Sequence, residues 1–190
     1  KRIVRKKIIL SVGSLFPSKG HEFVIESLGR INKSERPSLK IIHGAHQYLT
    51  SYKIKLKMLA KKYNVQVTFV SSIDDKTLLK EYNSSKITVC ANFLEPLGLV
   101  ALESMACGTP VVAIKEAGLR ETIVNNKNGI LTDRDSLEFS KAIMELIKNQ
   151  DKWNRMSKNG IKCVLDKWTW EFSAKSLDKY LKSFIGKQFT

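Results

Sequence analysis

Short apolar runs rich in Val and Ile recur along this chain, and a helix-like stretch separates almost every one from the next. The runs are "KIILSVG", "LKIIHG", "VQVTFV", "KITVCAN", "TPVVAI" and "NGILTD". Between them lie "KGHEFVIESLGRIN", "TSYKIKLKMLAKKY" with Thr50 or Ser51 as a cap, "DDKTLLKEYNSS" with acids in its first turn, and "GLVALESMACG", which ends at Gly108. Acids in a first turn suit the helix dipole, and Thr or Ser before a first turn caps its free amides. A regular alternation of buried strand and helix constrains the fold strongly, because parallel strands need helical crossovers that cover both faces of the sheet. The expectation is an α/β, Rossmann-like, doubly wound parallel sheet. A helical C-terminal tail follows, from about Asp135 to Phe184, with Trp153, Trp168 and Trp170 as apolar anchors. No internal repeat or low-complexity linker interrupts residues 1–190, so they read as a single domain.

In such sheets ligands bind at the carboxyl ends of the strands. The stretch "EPLGLVALE", residues 95–103, falls in one of the loops there and places two glutamates eight positions apart, in a chain with only 18 acids against 33 Lys and Arg. Pro96 and Gly98 mark a turn into a helix whose first amides, near Gly98 and Leu99, have no intrahelical partner and suit a phosphate. A carboxylate only accepts hydrogen bonds, so Glu95 and Glu103 suit hydroxyls. A ligand with phosphate in the middle and hydroxyls at both ends, such as a nucleotide-sugar, fits the whole stretch. Singly, Glu95 also reads as a loop acid beside a helix N-terminus, and Glu103 as a solvent-facing helix residue. Lys19, in the turn after the first strand, reads either as a point charge for a diphosphate or as a solvated surface lysine. Ala117, Gly118 and Leu119 form a loop whose amides could face an anion or simply make a turn.

Bulk properties narrow the rest. With 43% hydrophobic and 27% charged residues, the chain has the composition of a globular protein. Its apolar runs fall short of a membrane helix, and its basic start lacks a signal-peptide shape. It begins with Lys, which suggests a piece of something longer. Cys90, Cys107 and Cys163 lack metal-ligand spacing and read as free thiols in a reducing cytoplasm; His21, His43 and His46 form no metal motif. The net charge of +15 is spread along the chain and reads chiefly as the solvated faces of helices.

Four stretches, "VGSLFPSKGH", "EPLGLVALESMACGTPVVA", "AGLRETI" and "NGILTD", together resemble the C-terminal domain of the large retaining glycosyltransferase family of GT-B fold. The resemblance runs from about Ile8 to Phe172 and includes the family's signature of two Glu separated by seven residues. It implies that the chain is one half of a GT-B fold, the donor-binding half, with the N-terminal acceptor domain absent from it. The implied activity is transfer of a hexosyl group from a nucleotide-diphosphate sugar, UDP- or GDP-linked, to a glycan, lipid or polysaccharide. The transfer would retain configuration and use no metal or other cofactor. Carried over by position, Glu103 meets the ribose hydroxyls and Glu95 the transferred sugar. Leu97, Gly98 and Leu99 lie along the diphosphate or sugar, Lys19 neutralises the diphosphate, and Gly118 and Leu119 flank the donor sugar. Val70, Ser71 and Ser72 present backbone groups to the nucleobase. Glu95 and Lys19 are the expected catalytic pair. This sequence departs from the pattern at Ser14, where the family usually has Arg, at Ala117 in the usual Gly pair, and at Ser71, often Gly.

Within enzymes the alternatives are a sugar-nucleotide epimerase or a phosphorylase, which lack the combination of the glutamate signature and "GTPVVA". A nucleic-acid-binding module is the alternative raised by charge, but no Arg-rich or aromatic-basic tract supports it. The expected partners are a nucleotide-sugar, the N-terminal domain of the same protein and the surface of an anionic membrane, without nucleic acid, at a cytoplasmic location.

Overall fold

The computed structural model describes residues 5–44 and 50–185. Six strands, β1 (Lys6–Val12), β2 (Ser38–His43), β3 (Val67–Ser71), β4 (Ser85–Cys90), β5 (Val111–Ile114) and β6 (Gly129–Thr132), form one parallel sheet in the order β3-β2-β1-β4-β5-β6. Strand order reverses between β1 and β4, and in open sheets that reversal opens the ligand crevice at the carboxyl ends.

The helices are α1 (His21–Gly29), α2 (Thr50–Lys62), α3 (Asp75–Ser84), α4 (Leu99–Ala106), α5 (Leu119–Thr122), α6 (Ser136–Lys148), α7 (Gln150–Lys167) and α8 (Trp170–Ile185). A short 3-10 turn, Pro17–Lys19, precedes α1. Asp74, Asp135 and Asn149 each accept from an amide three residues on and cap α3, α6 and α7. The cap expected at Thr50 or Ser51 falls inside the first turn of α2, and residue 49 before it lies outside the described residues, as does His46.

Alternation along the strands builds a core on each face of the sheet. Ile9 and Ile41 join Val24, Leu28, Phe139 and Ile143 under α1 and α6, whereas their neighbours Leu10 and Ile42 join Tyr82 under α3. A third cluster, including Ala101, Met105, Val111 and Leu119, seats α4 and α5 on β5. The helices after β6 are less of a tail than expected: α6 packs on α1 and on β4 to β6, and α7 packs on α4. Trp153 is an anchor, buried with its indole N–H on the Lys86 carbonyl (2.7 Å), and Trp168 is half-buried against the α4 cluster. Trp170 is not an anchor. It is 89% exposed, because α8 leaves the body of the protein and touches chiefly α7.

Nor are all the basic residues solvated. Arg5 donates to the carbonyls of Tyr82, Ser85, Cys107 and Gly108, and Arg36 to those of Gly29, Ile31, Tyr63 and Asn64. Each closes loop carbonyls at the amino ends of the strands. Cys90 is buried, and desolvation pushes its thiol up to about 12; Cys107 and Cys163 are half-buried and free.

Candidate functional site

The residues singled out from the sequence come to the carboxyl edge of the sheet, spread across the ends of β3, β1, β4 and β5. With strands about 4.8 Å apart, that edge spans roughly 19 Å from β3 to β5, long enough for an extended ligand.

At the end of β1 the chain turns through Gly13 and Ser14 into the 3-10 turn that carries Lys19. Buried His21 organises this loop. Its Nε2–H donates to the Ser14 carbonyl (3.1 Å), and because a carbonyl only accepts, Nδ1 takes the proton of the Ser11 hydroxyl (3.0 Å). Burial holds the imidazole at a pKa of about 4, so it stays neutral at physiological pH. Ser14 contributes its carbonyl to this arrangement.

Lys19 reaches across to the loop after β4, where its ammonium pairs with Glu95 Oε2 at 3.2 Å. Asn92 Nδ2 donates to the same oxygen at 2.7 Å. The Phe93 amide donates to the Ser18 carbonyl (2.8 Å), so backbone also joins the two loops. The expected cation and the expected carboxylate are thus brought together, and the Glu95 oxygen turned away from Lys19 is left to accept from a ligand.

Arg134, which sequence reasoning passed over, fixes this region from behind. It forms two parallel hydrogen bonds to Glu116 (2.9 and 2.8 Å) and donates to the carbonyls of Ala91 (3.0 Å) and Asn92 (3.1 Å). Its guanidinium also lies 3.7 Å from the centre of the Phe93 ring. The pairing holds the Glu116 carboxyl below the usual carboxylate range. One side chain therefore ties the loop after β4 to the loop after β5. Both loops contain a non-glycine residue at positive φ, Leu94 at 47° and Ala117 at 40°, conformations that persist only when the surroundings hold them.

Gly118 and Leu119 contribute shape more than donors. The Gly118 amide already donates to the Glu95 carbonyl (2.9 Å) and the Leu119 amide to the Glu116 carbonyl (3.2 Å). A Cβ at Gly118 would overlap the Pro96 carbonyl oxygen, so only glycine lets the two loops touch. The Leu119 side chain is fully buried and packs against Gly98. Gly98 turns the chain into α4 at φ 81°, a left-handed conformation natural to glycine, and no side chain caps the helix. The uncapped start of α4 therefore sits beside Lys19–Glu95 with Leu97 and Leu99 exposed, an arrangement that can receive an anion.

Glu103 lies one turn into α4 and is exposed. Tyr82, buried in α3, donates its hydroxyl to Glu103 Oε2 at 2.7 Å. Burial and the adjacent carboxylate push the Tyr82 hydroxyl up, so it remains a donor. No local pattern distinguishes Tyr82 in the sequence, because its role depends on α3 meeting α4. At the end of β3, the Val70 side chain packs into the core while Ser71 and Ser72 are exposed; Ser72 has φ 55°, and its amide donates to the His43 carbonyl (3.2 Å).

The sequence profile of the family described as "Glycosyl transferases group 1" matches residues 1–163. The chain belongs to this family. Among solved structures, sucrose-phosphate synthase from Thermosynechococcus elongatus is 28% identical with a TM-score of 0.83, over 95% of this chain and 46% of that one. The C-terminal domain of the glycosyl transferase group 1 family protein LpcC from Francisella tularensis is 27% identical with a TM-score of 0.77, over 88% of this chain and 89% of that one. Anabaena Alr3699/HepE in complex with UDP-glucose shares the fold at 22% identity and a TM-score of 0.83, over 94% of this chain and 49% of that one. This group 1 chain spans about half or less of the length of the curated relatives it matches. No described helix is long and apolar enough to cross a membrane.

Proposed function

We propose that this chain is the donor-binding half of a retaining glycosyltransferase, which moves a hexosyl group from a nucleotide-diphosphate sugar to an acceptor held by a second domain. The observation that carries the reading is the juxtaposition of Lys19, Glu95 and the uncapped start of α4 at one point of the carboxyl edge, with Glu103 one turn farther along the same helix. Cation and amides suit the diphosphate, and each glutamate keeps an oxygen for a hydroxyl. During transfer the bond between the sugar and the diphosphate breaks, and negative charge grows on the leaving phosphate. Lys19 and the first amides of α4 stabilise that charge; Glu95 orients the sugar. UDP-glucose in a protein of the same fold supports a nucleotide-sugar as the ligand class. The resemblance to a separately solved C-terminal domain supports the assignment of this chain to the second half of a two-domain enzyme. α8 fits that assignment, because Leu177, Leu181 and Phe184 form an exposed stripe that another part of a longer polypeptide would cover.

The test is a thermal-shift panel of UDP, GDP and ADP with their common sugar conjugates. A ligand that binds only the folded state raises Tm by mass action, by about 2.7 kcal/mol of stability at a hundredfold excess over Kd. One nucleotide family should stabilise the chain, and the same purified chain should transfer no sugar. A chain stabilised by none of them, or one that transfers sugar at the rate of a complete enzyme, would contradict the reading.

A further inference from the structure

We propose that the outer face of α2 docks the protein on an anionic bilayer surface. α2 carries five lysines in 13 residues and no acid. Leu56 and Ala60 turn inward and are buried, whereas Ile54 and Met58, one turn apart, are 52% and 68% exposed. At 100° per residue, Lys57 and Lys61 fall on one side of this apolar ridge, and Lys55 and Lys62 on the other; all four are exposed. A single exposed apolar residue needs no explanation. Two in register, framed on both sides by lysines, make the pattern of a helix that lies at a membrane interface: apolar side chains enter the acyl boundary while the ammonium groups stay among the phosphates.

The charge is available for this role. Among the lysines of α2, only Lys55 forms an ion pair with a described residue, Glu22 at 2.9 Å. Lys62 lies over the Tyr63 ring at 5.4 Å and Lys53 over Phe69 at 5.3 Å, contacts that hold the cations close to the surface. Lys61 also borders a depression of about 360 Å³ whose lining mixes Lys33, Ser38, Asn64 and Gln66 with Pro37 and Val65, so that a phosphate headgroup would meet a lysine at its rim. Arg36 lines it too, but its guanidinium is engaged by carbonyls. A nucleic acid would meet the same lysines, yet it would press its phosphates onto Ile54 and Met58; the ridge favours lipid. The surface lies on the side of the sheet covered by α1, and its recess sits at the amino ends of β2 and β3, opposite the carboxyl ends that carry the donor site, so the proposal stands independently of that site.

Co-sedimentation with vesicles tests it. The chain should bind vesicles of equal parts phosphatidylglycerol and phosphatidylcholine at physiological salt, and pure phosphatidylcholine far more weakly. Each juxtamembrane lysine contributes about fivefold to affinity, so Lys57→Ser with Lys61→Ser should cost roughly 25-fold. Ile54→Ser with Met58→Ser should weaken binding with no change in charge, and circular dichroism melts should show both variants folded. Equal binding to the two vesicle types, no binding to either, or an Ile54/Met58 variant that binds like the parent would overturn the proposal. So would tighter binding to single-stranded RNA than to the anionic vesicles.

Discussion

Lys19 and Glu95 pair in the free protein, and a diphosphate at the proposed site would compete with the carboxylate for the lysine. Ser14 presents a carbonyl and no cation, so in the proposed site Lys19 is the main side-chain charge for the diphosphate. Lys19→Ala should therefore weaken a nucleoside diphosphate much more than the nucleoside, with the difference shrinking at high salt; equal losses for both ligands would remove Lys19 from that role. His21 has a separate consequence. Its folded pKa of about 4 lies below the ordinary value of 6.5, so between those limits the unfolded chain binds the extra proton. The stability it protects is complete above about pH 6.5 and is lost as pH falls toward 4, on the order of 3 kcal/mol at the lower end. His21→Gln should flatten the Tm-against-pH curve across that window, and a variant as acid-sensitive as the parent would count against this assignment.

At the scale of elements, the loops after β4 and β5 act as one unit because Arg134 and Gly118 hold them together. Arg134→Met removes four hydrogen bonds from a partly exposed site and should cost about 1–3 kcal/mol of stability. It should also weaken a nucleotide-sugar more than the free nucleotide, since Glu95 sits on the loosened loop; calorimetric Kd values for the two ligands check this, and equal losses would show that the loops are held by other contacts. The strands were legible because a parallel sheet buries both faces and leaves continuous Val/Ile runs, and Glu95 and Glu103 were legible because their spacing is local to one loop and helix. Tyr82 and Arg134 were not, since each acts through an element distant in sequence. Trp170 misled for the complementary reason: an apolar residue in a helical pattern shows that a stripe exists, not that this chain covers it.

For the whole molecule, the proposed donor site would run along the carboxyl edge of the sheet, with the nucleotide toward β3, the diphosphate at β1 and α4, the sugar toward β4 and β5, and a second domain closing over them. The division of labour between the two glutamates is the central claim. Glu103, braced by Tyr82, should accept from the ribose hydroxyls, each such bond worth roughly 1.5–3 kcal/mol. Glu95, braced by Asn92 and Lys19, should face only the sugar. The direct measurement is titration calorimetry of Glu103→Gln and Glu95→Gln with the stabilising nucleotide and with its sugar conjugate. Glu103→Gln should lose about tenfold or more in affinity for both ligands. Glu95→Gln should bind the nucleotide like the parent and lose affinity only for the conjugate. A folded Glu103→Gln protein that binds the nucleotide as tightly as the parent would contradict the account and return Glu103 to being a surface acid.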